Sequence, residues 1–317
     1  MNKTAVQLSQ IDEARITIIM DNTIDLLIAS TEVARRFESP SEWYNCPLPR
    51  AEHGFSALIK VKQNEKEGTV LLDTGASTDG VLHNFEALEI DAAQIRAIIL
   101  SHGHFDHAMG LTGIVEKIAD RNLKIVLHPD VYLQRKAVFP TGKEIHVSTP
   151  PGMDIRRENA KIIEDTGPTT LLDDMILVSG EIPRVTDFEK GFPIHYAKRE
   201  DVWQADPLIL DDQCVILNVK GKGLVIVTGC GHAGIINTIR YAQELTGVRQ
   251  VHAVIGGFHL TGGLFEKIIP DTVAELERIN PRYIMPTHCT GWSALHRLSE
   301  ALPDAFITSS VGTTLVL

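Results

Sequence analysis

The sequence predicts an α/β fold, and three observations carry that prediction. Short aliphatic runs at 96–100, 214–219, 224–227 and 251–255 have the length and composition of buried strands. Stretches with helical spacing stand between them, at 81–88, 108–120, 235–245, 270–279 and 292–301. Several strands end in turns where histidine, cysteine or aspartate stands beside glycine, so polar chemistry gathers at strand ends. A chain of 317 residues is long enough for a sizeable core and is read as one domain over 1–317.

In chain order, residues 15–20 (R-I-T-I-I-M) read as a first strand, and 23–37 as a helix carrying Ile24, Leu27, Ile28 and Val33. Residues 39–50 hold Pro40, Pro47 and Pro49 with Trp43 and Tyr44, and read as a loop. A hairpin follows, 55–62 and 69–72 around a charged turn. His53 stands at its start, and a lone histidine there is read as structural. The hairpin ends in V-L-L-D-T-G-A-S. An aspartic protease would need a second such triplet or a small homodimeric subunit, and neither is present. Asp73 is therefore read as a strand-end carboxylate that orients a neighbouring loop through hydrogen bonds.

That loop lies in R-A-I-I-L-S-H-G-H-F-D-H-A-M-G, residues 96–110. His102, His104, Asp106 and His107 fall within six positions between a strand and a helix. Such a loop can aim His102 and His104 at one point, and Asp106 and His107, at the helix start, at a second. Imidazole and carboxylate suit zinc foremost, and also manganese or iron, so one or two divalent metals are expected. A polar loop with Asp106 as a helix cap is the plainer alternative, but it has no need of three histidines.

Residues 124–128 read as a further strand, with His128 suited to a rim position or to packing. Between 139 and 213 prolines and glycines recur, which suggests an insertion of hairpins and lid segments over a site. Within it Arg184 can bind a substrate anion or pair with Glu181. Regular structure resumes at 214–219 and 224–227, then T-G-C-G-H-A-G-I and a helix with Gly247 as its C-cap. Gly229, Gly231 and Gly234 match a dinucleotide fingerprint, but the next strand, V-H-A-V-I-G-G, lacks the confirming acid. Backbone N–H groups at this helix start, Gly231 included, can instead hold a phosphate or oxyanion. Cys230 and His232 are metal-ligand types in the same turn. Gly256-Gly257-Phe258-His259-Leu260 is read as breaking the 251–255 strand, with His259 placed to touch substrate. A strand at 282–285 leads to P-T-H-C-T-G, where His288 repeats the strand-end placement of a ligand and Cys289 reads as packed. Residues 313–317 read as a closing strand.

Hydrophobic content of 44% and charged content of 22% are those of a globular protein. A formal net charge of −11 argues against a nucleic-acid or anionic-membrane surface. The four cysteines, Cys46, Cys214, Cys230 and Cys289, form no C-x-x-C pair, which fits reduced thiols and a cytoplasmic setting. The N-terminal residues lack an apolar signal core, and no run has transmembrane length. The expected partner is a small, phosphorylated substrate, with homo-oligomerisation left open.

His102, His104, Asp106 and His107 match the H-x-H-x-D-H signature, and the chain resembles the metallo-β-lactamase superfamily along essentially its whole length. The resemblance implies an αββα sandwich, two facing mixed sheets flanked by helices with metals at one edge. It also matches Asp73 to the family's early strand-end aspartate and His288 to its final histidine ligand. G-E-I-P-R, D-D-Q, G-C-G-H-A-G-I-I-N-T, G-G-F-H-L and P-T-H-C-T-G-W look like the branch named for dihydropterin-ribofuranosyl-aminobenzene-phosphate synthase. One departure is informative: Cys230 stands where a bridging aspartate is expected, and no histidine precedes the 214–227 hairpin closely. His232 is the first candidate for the missing ligand and His195 the second. The resemblance implies hydrolysis by metal-activated water, with Asp106 holding a metal or orienting that water. It equally allows a synthase in which metals grip a diphosphate leaving group. A metal-binding regulatory protein without turnover is the remaining alternative.

Overall fold

The computed structural model describes residues 6–38, 41–148 and 160–317. Two large sheets face one another. The first is eight-stranded, in the order Lys161–Glu164, Lys124–Leu127, Ile95–Ile99, Lys66–Leu72, Ser56–Gln63, Glu13–Met20, Thr314–Val316 and Ala34–Arg35. The second runs Thr169–Leu171, Ile176–Val178, Cys214–Val219, Gly223–Thr228, Val251–Gly257 and Tyr283–Thr287, with Gln10–Ile11 pairing beside Cys214–Val219 as a seventh strand. Both mix parallel and antiparallel pairs.

Alternation along the strands builds the layers. Ile16, Ile18, Ile59, Val70, Leu72 and Ile99 of one sheet meet Val215, Leu217, Val225, Val227 and Ile255 of the other in a shared core. Their neighbours Ile216, Ile226 and Val254 point outward, against helices Ile235–Thr246, Ile269–Ile279 and Trp292–Ala301. On the opposite side Leu71, Ile98 and Ile125 pack beneath Gly80–Ala87 and Leu111–Ile118. Strands covered on both faces read as continuous apolar runs, which is why they are conspicuous in the sequence. The result is the expected αββα sandwich. Among the described residues no helix is long and apolar enough to cross a membrane.

Four expectations need correction. Residues 23–37 form no helix; Ala34–Arg35 pairs with Thr314–Val316 instead. The Asp25 carboxylate takes the Leu27 N–H at 2.9 Å, and Leu27 is 83% exposed, so local side-chain bonding wins over a helix with no buried face. The helix read over 108–120 divides into Phe105–Ala108 and Leu111–Ile118. Gly110 lies between them, where a Cβ would come within 2.3 Å of the Thr74 carbonyl oxygen. The glycine pair does not break its strand: Val251–Gly257 runs through both. At Gly256, with φ of 115°, a Cβ would lie 2.1 Å from the Thr228 carbonyl, so glycine is what lets the two backbones run so close. Lastly, the described part of 139–213, read as an insertion of hairpins and lid segments, belongs in part to the main sheets. Lys161–Glu164 extends the first sheet and Thr169–Leu171 with Ile176–Val178 the second. His195–Arg199, Val202–Ala205 and Glu144–His146 join Arg135–Val138 in a small four-stranded sheet.

Candidate metal centre

The parallel strands of both sheets end at one edge, and the loops leaving them meet there. Asp73 follows Lys66–Leu72, the histidine-rich loop follows Ile95–Ile99, Cys230 and His232 follow Gly223–Thr228, His259 follows Val251–Gly257, and His288 follows Tyr283–Thr287. Three of these residues, Asp73, His259 and His288, hold φ near +50° to +60° (59°, 46° and 48°), a costly conformation outside glycine. Such strain at three strand ends persists because the surrounding contacts fix each one.

Among the described residues three groups of donors result, the third, Cys230, His259 and Cys289, sharing Cys230 with the second. His102, His104 and His232 form the first; Asp106, His107, Cys230 and His288 form the second. In the first, His232 Nε2 lies 3.2 Å from His102 Nε2 and 3.2 Å from His104 Nδ1. The hydrogen-bond partners behind each ring decide what those atoms carry. Ser101 Oγ donates to Asp73 Oδ2 at 2.7 Å, so it accepts from His102 Nδ1 at 2.9 Å and leaves His102 Nε2 bare. His195 Nδ1 donates to the Asp206 carbonyl at 2.9 Å, so His195 Nε2 accepts from His104 Nε2 at 3.0 Å and leaves His104 Nδ1 bare. The bare His102 Nε2 and His104 Nδ1 thus converge on His232 Nε2 in a buried space, and His232 Nδ1 has no hydrogen-bond partner, so a hydrogen carried there leaves Nε2 as a third ligand atom. Tetrahedral zinc with Zn–N bonds of about 2.0–2.1 Å places its ligand atoms roughly 3.3 Å apart. The residues present therefore fit a divalent metal.

The second group is oriented the same way. His107 Nδ1 donates to Asp73 Oδ2 at 2.6 Å, turning Nε2 toward Cys230 Sγ at 3.2 Å. Asn22 Nδ2 donates to the His288 carbonyl at 3.1 Å, so Asn22 Oδ1 accepts from His288 Nδ1 at 3.0 Å. His288 Nε2 then faces Asp106 Oδ2 at 3.2 Å and has no hydrogen-bond partner of its own. Asp73 serves both groups, His107 directly and His102 through Ser101, as expected of an orienting carboxylate.

Charge separates the two. Burial, then neighbouring imidazoles, push His102, His104 and His232 well below the usual histidine range. Burial also opposes a charge on His107, but Asp106 and Asp73 outweigh it and hold its pKa up at about 9. Against its own burial, Asp106 is kept ionised by His107 and His288. Burial pushes the Cys230 thiol up, and Cys289 beside it adds to this.

Other expected residues have different fates. His259 packs against His232, tilted by 53° with ring centroids 4.1 Å apart, and lines a cavity of about 240 Å³ with Gly231, Phe188, Lys190, Phe258 and Phe265. Cys289 packs against the site and donates to the Cys230 carbonyl at 3.2 Å. Arg184 is turned to main-chain carbonyls and does not pair with Glu181. Its guanidinium donates to the Ile182 and Leu208 carbonyls, while Glu181 lies 3.1 Å from His128. The helix start after Gly234 is not open to a phosphate either. Glu189 takes the Ile236 and Asn237 N–H groups at 2.9 and 2.8 Å, and Asp212 takes that of Ala233 at 2.7 Å. An internal carboxylate has satisfied the helix dipole that a ligand would have used.

The sequence reading missed several supports. Arg135, fully buried, makes a bidentate pair with Asp211 at 2.7 and 2.8 Å, and Asp211 also takes the Gly103 N–H at 2.8 Å. The D-D-Q triplet was the available signal, though nothing local says what it would grip. His53, read as structural, is 65% exposed at its side chain and stands 3.7 Å from Asp106.

The comparisons with known proteins agree with this geometry. The family model of the metallo-beta-lactamase superfamily matches residues 50–245. A 7,8-dihydropterin-6-methyl-4-(beta-D-ribofuranosyl)-aminobenzene-5'-phosphate synthase from Methanocaldococcus jannaschii is 31% identical over 270 residues, covering 83% of this chain and 89% of that protein. An uncharacterized protein of the same organism is 31% identical over 265 residues, covering 83% and 92%. Among solved structures, a metal-dependent hydrolase of the beta-lactamase superfamily superposes with a TM-score of 0.71, at 23% identity, over 95% of this chain and 98% of that one. That likeness concerns the fold. With the signature loop, the sandwich and the relatives in accord, the chain belongs to the metallo-β-lactamase superfamily.

Proposed function

We propose that this chain is a metal-dependent enzyme that hydrolyses a phosphorylated or ester-type small molecule. The observation that carries the reading is the convergence of the bare His102 and His104 nitrogens on His232 Nε2, beside a second donor group that contains a carboxylate and a thiol. When bound, a divalent cation supplies Lewis acidity and a water acidic enough to react near neutral pH. His102, His104 and His232 would hold one cation, and Asp106, His107, Cys230 and His288 a second. Zinc suits the nitrogen and sulfur donors best, with manganese or iron as the alternatives. The chain's own work is orientation: Asp73, Ser101, His195 and Asn22 fix the tautomers of His102, His104, His107 and His288 before any ligand arrives. The cavity beside His232 and His259 would take the organic part of the substrate against Phe188, Phe258 and Phe265.

A second reading is favoured by one specific observation, the 31% identity to the pterin synthase across 83% of this chain. In that reading the same donor groups grip a diphosphate leaving group and an amine is the nucleophile. Relatives that share a scaffold often differ in substrate, so product analysis is the test. Metal-loaded protein is incubated with a panel of phosphoesters, and separately with a dihydropterin-methyl diphosphate and a ribosylated aminobenzene phosphate. Free alcohol and phosphate support the hydrolase. A coupled pterin adduct with released diphosphate supports the synthase. Metal binding without turnover of either would overturn both and leave a regulatory metal-binding protein.

A further inference from the structure

The site has one polar group that the ligand sets do not absorb. His53 stands at its mouth, with its side chain 65% exposed, and its ring centroid is 5.0 Å from that of His288. Its position is held from both sides. Glu52 donates its N–H to the Asp21 carbonyl at 3.1 Å and accepts from Ala76 and Ser77 through its carboxylate, at 2.9 and 3.1 Å. Phe55 donates to the Asp106 carbonyl at 3.1 Å. At Gly54 a Cβ would lie 2.9 Å from that same oxygen, so glycine lets this segment press against the metal loop.

Asn22 decides which nitrogen of His53 carries the hydrogen. Its amide cannot be turned round, because its oxygen would then face the His288 carbonyl, acceptor against acceptor. Its NH2 group therefore donates to His288 O and reaches His53 Nδ1 at 3.3 Å. Nδ1 accepts, so the neutral ring bears its hydrogen on Nε2. That atom is 3.7 Å from Asp106 Oδ2, too far for a hydrogen bond. One asparagine thus turns two histidines in opposite senses: His288 presents a bare nitrogen to the cation site, His53 an N–H to the space above it.

We infer that His53 is a substrate-binding residue whose Nε2–H donates to an anionic oxygen, of a phosphate or carboxylate, seated at the Asp106–His288 end of the site. This rests on the proposed function for the presence of an anionic substrate, and goes beyond it in assigning the donor.

The test uses zinc-loaded full-length protein and inorganic phosphate as the probe, with binding measured by calorimetry and zinc by elemental analysis. His53→Ala is expected to keep its zinc and to bind phosphate about tenfold more weakly, as befits one hydrogen bond to a charged group. His53→Gln, whose amide can place an N–H near the same point, is expected to recover most of that loss. Unchanged phosphate affinity in His53→Ala overturns the assignment and leaves the functional reading intact. Loss of zinc in His53→Ala also overturns it, because His53 would then act by holding Asp106 or His288. Zinc-loaded wild type that binds no phosphate fells the functional reading for phosphorylated substrates and the assignment with it.

Discussion

At the His102–His104–His232 end every donor is a neutral imidazole, whereas the Asp106–His107–Cys230–His288 end mixes a carboxylate and a thiol with two imidazoles. The two ends share Asp73 and lie on one edge of the sandwich, yet burial acts on them in opposite ways. At the first end burial and the neighbouring imidazoles keep the three rings neutral, each with one lone pair available to a cation. At the second end Asp106 and Asp73 keep His107 protonated up to about pH 9, and burial keeps Cys230 a thiol. A cation enters the first end without displacing a proton and must displace at least one from the second. The difference teaches that one loop can feed two donor groups of unlike chemistry, because the charge around each is set by residues distant in sequence.

The largest expected effect comes from emptying one end at a time. His232→Ala should lose the cation of the imidazole end and keep the other; Cys230→Ala should do the reverse, and elemental analysis of both would read it. Equal loss in both variants would mean that the ends are not independent. Next in size, Arg135→Met leaves Asp211 buried without its partner beneath Gly103. A cost of about 3–5 kcal/mol in unfolding free energy is expected, measured by denaturant titration. Asp73→Asn should weaken both ends together, by about 10–100-fold in metal affinity, because it supports His107 and, through Ser101, His102. An effect confined to one end would refute that shared role.

The pH dependence sharpens the contrast. Because the folded His107 holds its proton below about pH 9, metal affinity at that end should rise at least about tenfold per unit from pH 7 towards 9, and less steeply above it, where the Cys230 proton still has to be displaced. The imidazole end, whose rings are already unprotonated near neutrality, should stay flat across that range. Competition with a chelator in Cys230→Ala and His232→Ala separates the two curves; parallel slopes would contradict the charge assignment. The smallest effect is expected from His195→Leu, which removes the acceptor that fixes His104. The imidazole end should weaken by about tenfold and the second end should not change.

Much of the site was legible because its donors sit beside strand ends in the sequence. The loop at 102–107 announces itself by density, and His232, His288 and Asp73 by their place after an apolar run. Asn22 and Asp21 follow Glu13–Met20 in just that manner, but a lone D-N pair carries no ligand signature, and its work on His288 spans 266 residues. Arg184 and the Gly231–Gly234 turn were misread for a related reason. A cation in a loop and a glycine-rich helix start look the same in sequence whether they face a ligand, main-chain carbonyls, or Glu189 and Asp212. The missing helix at 23–37 failed because helical spacing without a buried face is overruled by local bonding from Asp25.

By itself the sequence determined the layered α/β architecture, since strands buried on both faces must be continuously apolar and helices between them amphipathic. It also determined which residue types are suited to hold a metal, since no buried structural role requires so dense a set of imidazoles. Only the tertiary structure decided which nitrogen of each ring faces inward, which end keeps a proton, and that His53 stands at the mouth. Those properties depend on single hydrogen bonds from Asp73, His195 and Asn22 that cross between strand ends. Local sequence encodes a donor's identity; its tautomer and charge belong to whatever the fold puts behind it.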